Sequence, residues 1–312
     1  MDLLSAMRVF VRVVELQSFT QAADDQGVSS SAVSKQVAML EQHFKARLLH
    51  RTTRSLNVTD IGDAVYHQCK RVLDEVAGAE NLVAELQGEP RGLLRISSNM
   101  TFGQLLLSRA LPAFMARYPE IRLEVTLDDR MPDMVREGYD LMIRIKGSQL
   151  PDSSLVARKL CDIPMFIVAT PQYLAEQGVP DSAQALAAHN CLIFVHAENA
   201  HQWQIRSSRD DAQTVDVSGD LRANNSLVVR EALLAHRGIA NLASFVIAPH
   251  VERGELVPVF PEAEPERLAA YAFYPSRASA TLKVSRFVDF FADWLDEHLP
   301  QSLPPVRVSA DA

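Results

Sequence analysis

The chain has 312 residues, 47% of them hydrophobic and 22% charged. That is the composition of a globular protein of two or three domains, and it excludes fibrous and disordered classes. The net charge of −8 speaks against a basic surface overall, although for nucleic acid the location of charge matters more than its sum.

Met7, Phe10, Val11 and Val14 recur at helical spacing, which predicts a first helix over Asp2 to Leu16. Asp2, Arg8, Arg12 and Glu15 interrupt this stretch and no small-residue cleavage pattern follows, so a signal peptide is not expected. Ser18 with Gln21 three residues later forms a capping box for a short second helix. Ala22 and Ala23 let a neighbour approach closely, and Gly27 supplies the turn. A third helix, from about Ser30 to Phe44, carries Val33, Val37, Leu40 and Phe44 as one apolar stripe. Its start presents Ser30, Ser31, Ser34 and Lys35, short hydroxyls and a cation that suit base edges and phosphates. An ordinary solvated helix face is the plain alternative. From Val28 to Val58 the bases Lys35, Lys45, Arg47, Arg51 and Arg54 stand against the single acid Glu41, a local net +4. The run Leu48 to Val58 alternates like a hairpin, placing Arg51 and Arg54 on a wing beside a helix-turn-helix.

Thr59 is positioned to cap a long helix with Asp60 and Asp63 in its first turn. Val65, Cys69, Val72, Val76, Ala79, Val83 and Leu86 then follow at steps of four and three, a heptad seam. A helix about 40 Å long cannot bury such a stripe on itself. It needs a partner, most simply its own copy, and the dimerisation residues are Val65, Val72, Val76, Val83 and Leu86. Gly88 to Gly92 reads as a hinge.

Strands and helices alternate beyond the hinge, which predicts a doubly wound parallel sheet. Lobe one is expected over 92–161 and 268–299, and lobe two over 162–267, where a new strand is expected to open at Ile163. The chain crosses twice between the lobes, leaving a cleft. Residues 300–312 read as a polar, frayed tail. Ligands of such sheets bind beyond the carboxyl ends of strands, which singles out Ser98, Asn99, Met100 and Thr101 in lobe one. In lobe two it singles out Asn225, Ser226, Ser244 and Phe245. Capping is the plain alternative for each alone. Arg144, embedded in an apolar run, needs either a ligand carboxylate or a protein acid. Phe194, His196 and Trp203 are candidates for the lobe-two wall.

No GxSxG, HExxH, phosphate-cradling glycine loop or EF-hand spacing occurs, so catalysis is not expected. Cys69, Cys161 and Cys191 form no CxxC and have no histidine at metal-ligand spacing. They read as reduced structural thiols, and no cofactor is expected. No uncharged apolar run approaches the roughly 18 residues of a membrane span. The location expected is the cytoplasm, with no membrane partner.

The sequence resembles the LysR-type transcriptional regulators. The resemblance rests on SFTQAA at Ser18, VSSSAVSKQVAMLE at Val28, LLHRTTRSLNVTDIG at Leu48 and GLLRIS at Gly92. RYPEIRLEV at Arg117, YDLMIRI at Tyr139, VPDSAQALAAHNCLIF at Val179 and FVDFFADWL at Phe287 extend it. It implies an α+β multidomain protein: a winged helix-turn-helix over 1–59, a linker and dimerisation helix over 60–91, and a periplasmic-binding-protein-like effector domain over 92–299. By motif position, it implies DNA contacts from Ser18, Thr20, Ser29, Ser30, Ser31, Ser34 and Lys35, with Arg51 and Arg54 on the wing. Many members carry Gln followed by Pro or Ser where this chain has Ser30-Ser31. The implied partners are double-stranded DNA, an anionic or aromatic small-molecule effector, and further copies of the chain in a dimer of dimers. A two-lobed solute-binding module or enzyme with an N-terminal dimerisation segment is the competing reading.

Overall fold

The computed structural model describes residues 2–51, 56–86, 89–147, 155–197, 199–208, 211–275 and 281–303. They form two compact units, Met1–Gly92 with Val135–Gly138, and Leu93–Met134 with Tyr139–Ala312.

In the first unit, α1 (Leu3–Leu16) is N-capped by Asp2, which accepts from Ser5 N. α2 (Phe19–Gln26) begins at Ser18, whose hydroxyl accepts from Gln21 N, and ends at Gly27 with φ +63°. That left-handed conformation is one glycine adopts without steric cost. α3 (Ser30–Phe44) is capped by Ser29, which accepts from Ala32 N. Val33, Val37 and Leu40 are fully buried against Phe10, Val13, Ala22 and Ala23. Phe44 departs from the expected stripe. It is 38% exposed, because Lys45 ends the helix in the left-handed conformation one residue beyond it.

β1 (Leu49–Arg51) and β2 (Leu56–Val58) pair antiparallel, with Leu49 opposite Val58. Glu41 accepts from both Leu48 N and Leu49 N through one carboxylate oxygen, at 2.8 and 3.2 Å. The single acid of the basic stretch therefore anchors the root of the hairpin. α4 (Asp60–Leu86) starts where Thr59 Oγ1 accepts from Gly62 N at 2.8 Å. The seam of α4 is not free along its length. Cys69 is 1% exposed inside the unit's own core, with Val65, Tyr66 and Leu73 packed against it. Val72 is exposed.

The second unit runs β3 (Gly92–Ser98), α5 (Met100–Phe102), a π-helical turn (Gly103–Leu107), α6 (Ser108–Arg117) and β4 (Ile121–Leu127). Next come α7 (Met134–Glu137), which apart from Met134 groups with the first unit, β5 (Leu141–Lys146), β6 (Leu155–Ala169), α8 (Pro171–Gln177), a 3₁₀ turn (Gln184–Ala188) and β7 (Cys191–Phe194). β8 (Gln202–Ser208) and β9 (Asp211–Asp216) form a separate hairpin. β10 (Arg222–Ala223), α9 (Ser226–Leu234), β11 (Ile239–Ala243), α10 (Ser244–Glu252), β12 (Val257–Pro258), β13 (Glu266–Pro275) and α11 (Leu282–His298) complete it.

Among the described residues one sheet runs β10-β7-β11-β6-β13-β5-β3-β4, with β12 paired to β6. It is mixed, not the parallel sheet that the alternation predicts. The pairs β3–β5, β7–β11 and β7–β10 are parallel. β6 and β13 run antiparallel to each other from Met165 and Glu266 at one end to Leu155 and Pro275 at the other. These two strands are the crossings. The expected break at Cys161 is therefore the middle of one 15-residue strand, with a register shift at Ala270/Tyr271 on its partner.

The core is continuous across both lobes, joining Leu94, Ile96 and Phe114 to Val229, Leu242 and Phe245. α11 closes it with Phe287 against Phe114 at 4.9 Å and Phe291 against Phe102 at 6.0 Å, both edge to face. The start of the tail is tied down, since Pro300 O accepts from Ser244 Oγ at 2.8 Å and Leu303 packs on the core. Residues 304–312 lie outside the described residues.

Candidate functional site

Two sites emerge, one in each unit. In the first, Ser30, Ser31 and Lys35 stand exposed on the opening turns of α3, and Ser34 is half-buried. Ser29 and Ser31 share a hydroxyl hydrogen bond of 2.9 Å, and Ser29 is also engaged as the cap. Thr20 is exposed on α2, while Ser18 caps that helix. Arg51 closes β1, and Arg54 lies outside the described residues. Arg12 on α1 makes a bidentate ion pair with Asp25 on α2, both contacts at 2.7 Å. The guanidinium holds the Asp25 carboxyl below its usual range. α1 and α2 are thus clamped together by that pair.

The opening turns of α4 carry an apolar groove lined by Met7, Phe44, Ile61, Val65, Cys69 and Val72. Ile61 is 55% exposed and Val72 is 39% exposed. Val76 is half-buried. Val83 and Leu86 lie in the last turns of the helix.

In the second unit a cavity of about 300 Å³ lies between the lobes. Asn99, Thr101, Arg144, Phe194, His196, Ser226 and Phe245 line it, and the sequence singles out each of them. The lobes touch directly across its floor. Ser226 Oγ donates to Thr101 Oγ1 at 2.9 Å, and Phe102 meets Phe245 edge to face at 5.7 Å. Asn225 and Met100 are outside the lining and meet each other, the amide Nδ2 donating to the thioether sulfur at 3.1 Å. Ser98 is fully buried in β3 and its hydroxyl has no partner among the described residues.

Ser244 is outside the lining, and its hydroxyl donates to the Pro300 carbonyl. Trp203 is also outside the lining. It belongs to a satellite core with Tyr173, Ile205 and Val215, carried there by the β8–β9 hairpin, for which the sequence carries no two-residue turn signature. Residues the strand-end argument misses include Asp129, Met131, Asn241 and Leu268. Asn241 sits inside a strand and Asp129 in the loop after β4, so neither bears a local signal.

Asn99 organises the lobe-one rim. Its Nδ2 donates to Asp129 Oδ1 at 2.9 Å, its Oδ1 accepts from Ile145 N at 2.9 Å, and Asp129 Oδ1 also accepts from Met100 N at 3.0 Å. Arg144 is 2% exposed and donates to Ile143 O, Ser97 Oγ and Arg130 O. Neither an acid nor any other anion pairs with it among the described residues. Burial pulls its pKa down to about 10, which leaves it cationic at neutral pH. Burial pushes the thiols the other way, Cys69 to about 11 and Cys161 and Cys191 to about 12. Among the described residues no three metal-ligating side chains converge, and no helix is long and apolar enough to cross a membrane.

This arrangement, a helix-turn-helix with a hairpin in one unit and a two-lobed clamp in the other, has relatives. Residues 4–63 match the family model for the bacterial regulatory helix-turn-helix protein, lysR family, and residues 87–296 match the LysR substrate binding domain. The chain is 33% identical to the HTH-type transcriptional regulator DmlR of Escherichia coli, over 96% of this chain and 97% of that protein. It is 36% identical to PtxR of Pseudomonas aeruginosa, over 95% and 93%. Among solved structures, CrgA of Neisseria meningitidis, a LysR-type transcriptional regulator, superposes with a TM-score of 0.60 at 31% identity, over 93% of this chain and 98% of that one. Full-length AphB of Vibrio cholerae gives 0.59 at 26%, over 95% and 99%. The chain belongs to the LysR family and is a ligand-responsive, DNA-binding transcriptional regulator.

Proposed function

We propose that the reading head is residues 1–59, in which Ser30, Ser31, Ser34 and Lys35 meet the major groove. Ser18, Thr20 and Ser29 meet the flanking phosphates, and Arg51 and Arg54 approach from the wing. Residues 60–91 pair two copies through Val65, Val72, Val76, Val83 and Leu86, and two such dimers assemble as a dimer of dimers. An anionic or aromatic small molecule enters the cavity of residues 92–299, and its binding shifts the geometry of the oligomer on DNA. The protein works in the cytoplasm by binding alone, with no reaction catalysed.

The observation that carries this reading is the hydrogen bond from Ser226 to Thr101 at the cavity floor. It joins the two lobes at a contact that a ligand must meet, so occupancy and lobe geometry are coupled there.

The test is DNA binding by gel shift across a salt series, on a fragment selected from genomic DNA by the protein itself. Phosphate contacts make affinity fall steeply with ionic strength. Lys35→Ala is expected to abolish the specific complex while the circular dichroism spectrum stays unchanged. Wild-type affinity in that variant would sink the assignment of the reading face.

A further inference from the structure

The cavity between the lobes carries a buried cation that no acid pairs with among the described residues. Arg144 sits on β5 with 98% of its surface removed from solvent. Its three acceptors, the Ile143 carbonyl at 2.8 Å, the Ser97 hydroxyl at 2.8 Å and the Arg130 carbonyl at 3.0 Å, are all neutral. A guanidinium has five N–H donors, and its Nε has no acceptor. A buried charge ordinarily has an ionic partner, because desolvating it alone is unfavourable. The acids around it are engaged elsewhere. Asp128 holds Arg130 in an ion pair and accepts from its backbone N–H. Asp129 accepts from Asn99 and Met100. Both act on Arg144 only through the field.

The rest of the lining decides what the missing partner looks like. Phe102, Ile163, Phe194, Phe245 and Leu268 form apolar wall. Lys146 also lines the cavity. Asp129 is the acid in that lining, and it opposes a second negative charge. We propose, building on the cleft as the effector site, that the cavity selects a monoanionic ligand, one carboxylate on an apolar body, and that Arg144 is the residue that selects its charge. The carboxylate supplies the counter-charge that the guanidinium lacks, and the apolar body covers the aromatic wall. A neutral amide leaves the guanidinium uncompensated, an amine adds a like charge, and a dicarboxylate sets its second group against Asp129.

The experiment is calorimetric titration of the full chain with benzoate, phenylacetate and hexanoate, each beside its amide. Benzylamine and terephthalate are included as the cation and the dianion. At least one monocarboxylate is expected to bind with a Kd at least about tenfold below that of its amide, the scale of one charge-assisted contact. Arg144→Gln is expected to erase that preference and Arg144→Lys to keep part of it. Where Arg144→Gln does not fold, the acid–amide and monoacid–diacid ratios of the wild-type chain carry the test. The proposal is overturned if amides bind as well as acids, if terephthalate binds best, if Arg144→Gln keeps the preference, or if no monocarboxylate binds at about 10 mM, a level that registers even millimolar dissociation constants. Ala197→Trp, which fills the cavity from a half-buried lining position, separates this failure from that of the cleft reading. Amide binding lost in Ala197→Trp keeps the cleft and overturns the charge selection. Binding that survives Ala197→Trp places the ligand elsewhere and overturns both.

Discussion

Gly62 lies in the first turn of α4 directly beneath the wing. A Cβ added there would sit 2.0 Å from the Leu48 carbonyl oxygen, 2.9 Å from its carbon and 2.9 Å from Val58 Cγ1. The Leu48 carbonyl cannot retreat freely. It accepts from Thr59 N at 3.0 Å and from Thr59 Oγ1 at 3.2 Å, while Leu48 N is held by Glu41. Gly62→Ala therefore sets two opposing effects against each other. Alanine in place of glycine favours a helix by about 1 kcal/mol, and overpacking against fixed backbone costs about 1–3 kcal/mol. The overlap with a doubly bonded carbonyl puts the cost at the upper end, so a net loss of about 1–2 kcal/mol is expected. Urea unfolding followed by helical circular dichroism measures it, as a lower midpoint of the N-terminal transition at unchanged slope. A variant more stable by about 1 kcal/mol would show that helix propensity alone governs the position and would refute the close packing of wing on linker helix.

Val72 is exposed in the single chain at the edge of the apolar groove, so Val72→Asp is expected to halve the mass seen by light scattering with little change in the stability of the separated chain; an unchanged mass rules out this seam as the interface. The three thiols, buried at Cys69 and Cys191 and half-buried at Cys161, set an alkaline limit. Their folded pKa values are raised from 9.0 to about 11 or 12, so above pH 9 the unfolded chain releases protons that the folded chain retains, and stability falls from there through pH 12. Arg144, lowered from 12.5 to about 10, acts in the opposite sense above pH 10, as one group against three. A melting temperature that stays flat or rises between pH 9 and 11 would contradict the burial of the thiols, whereas below pH 9 they contribute no slope.

Much of the first unit is legible residue by residue. Ser18 and Gly27 act on backbone groups within four residues of themselves, Thr59 caps α4 through Gly62 N three residues on, and the stripe of Val33, Val37 and Leu40 reports the period of its own helix. Caps, turns and periodicity are local, so they survive translation from sequence to structure. Which surface a stripe meets is not local. Cys69 reads as a seam residue and is buried in its own unit's core, and Phe44 continues the spacing of α3 yet lies exposed beyond the point where the core ends.

The second unit shows the same division at larger scale. Its strand ends mark Thr101 and Ser226 as polar residues at helix starts, but only the pairing of β6 with β13 across both lobes sets them 2.9 Å apart at one cavity floor. The break expected at Cys161 reflects composition, since Ala157, Arg158 and Lys159 are exposed within an otherwise continuous strand. Arg144 shows the boundary between the two kinds of information most sharply. Its place in an apolar run demands compensation, and that demand is written in the sequence because desolvation of a charge depends only on burial. That hydroxyl and carbonyl oxygens from β3 and the β4–α7 loop meet it, and that no acid pairs with it among the described residues, was decided by tertiary structure, because compensation depends on groups brought together from distant parts of the chain.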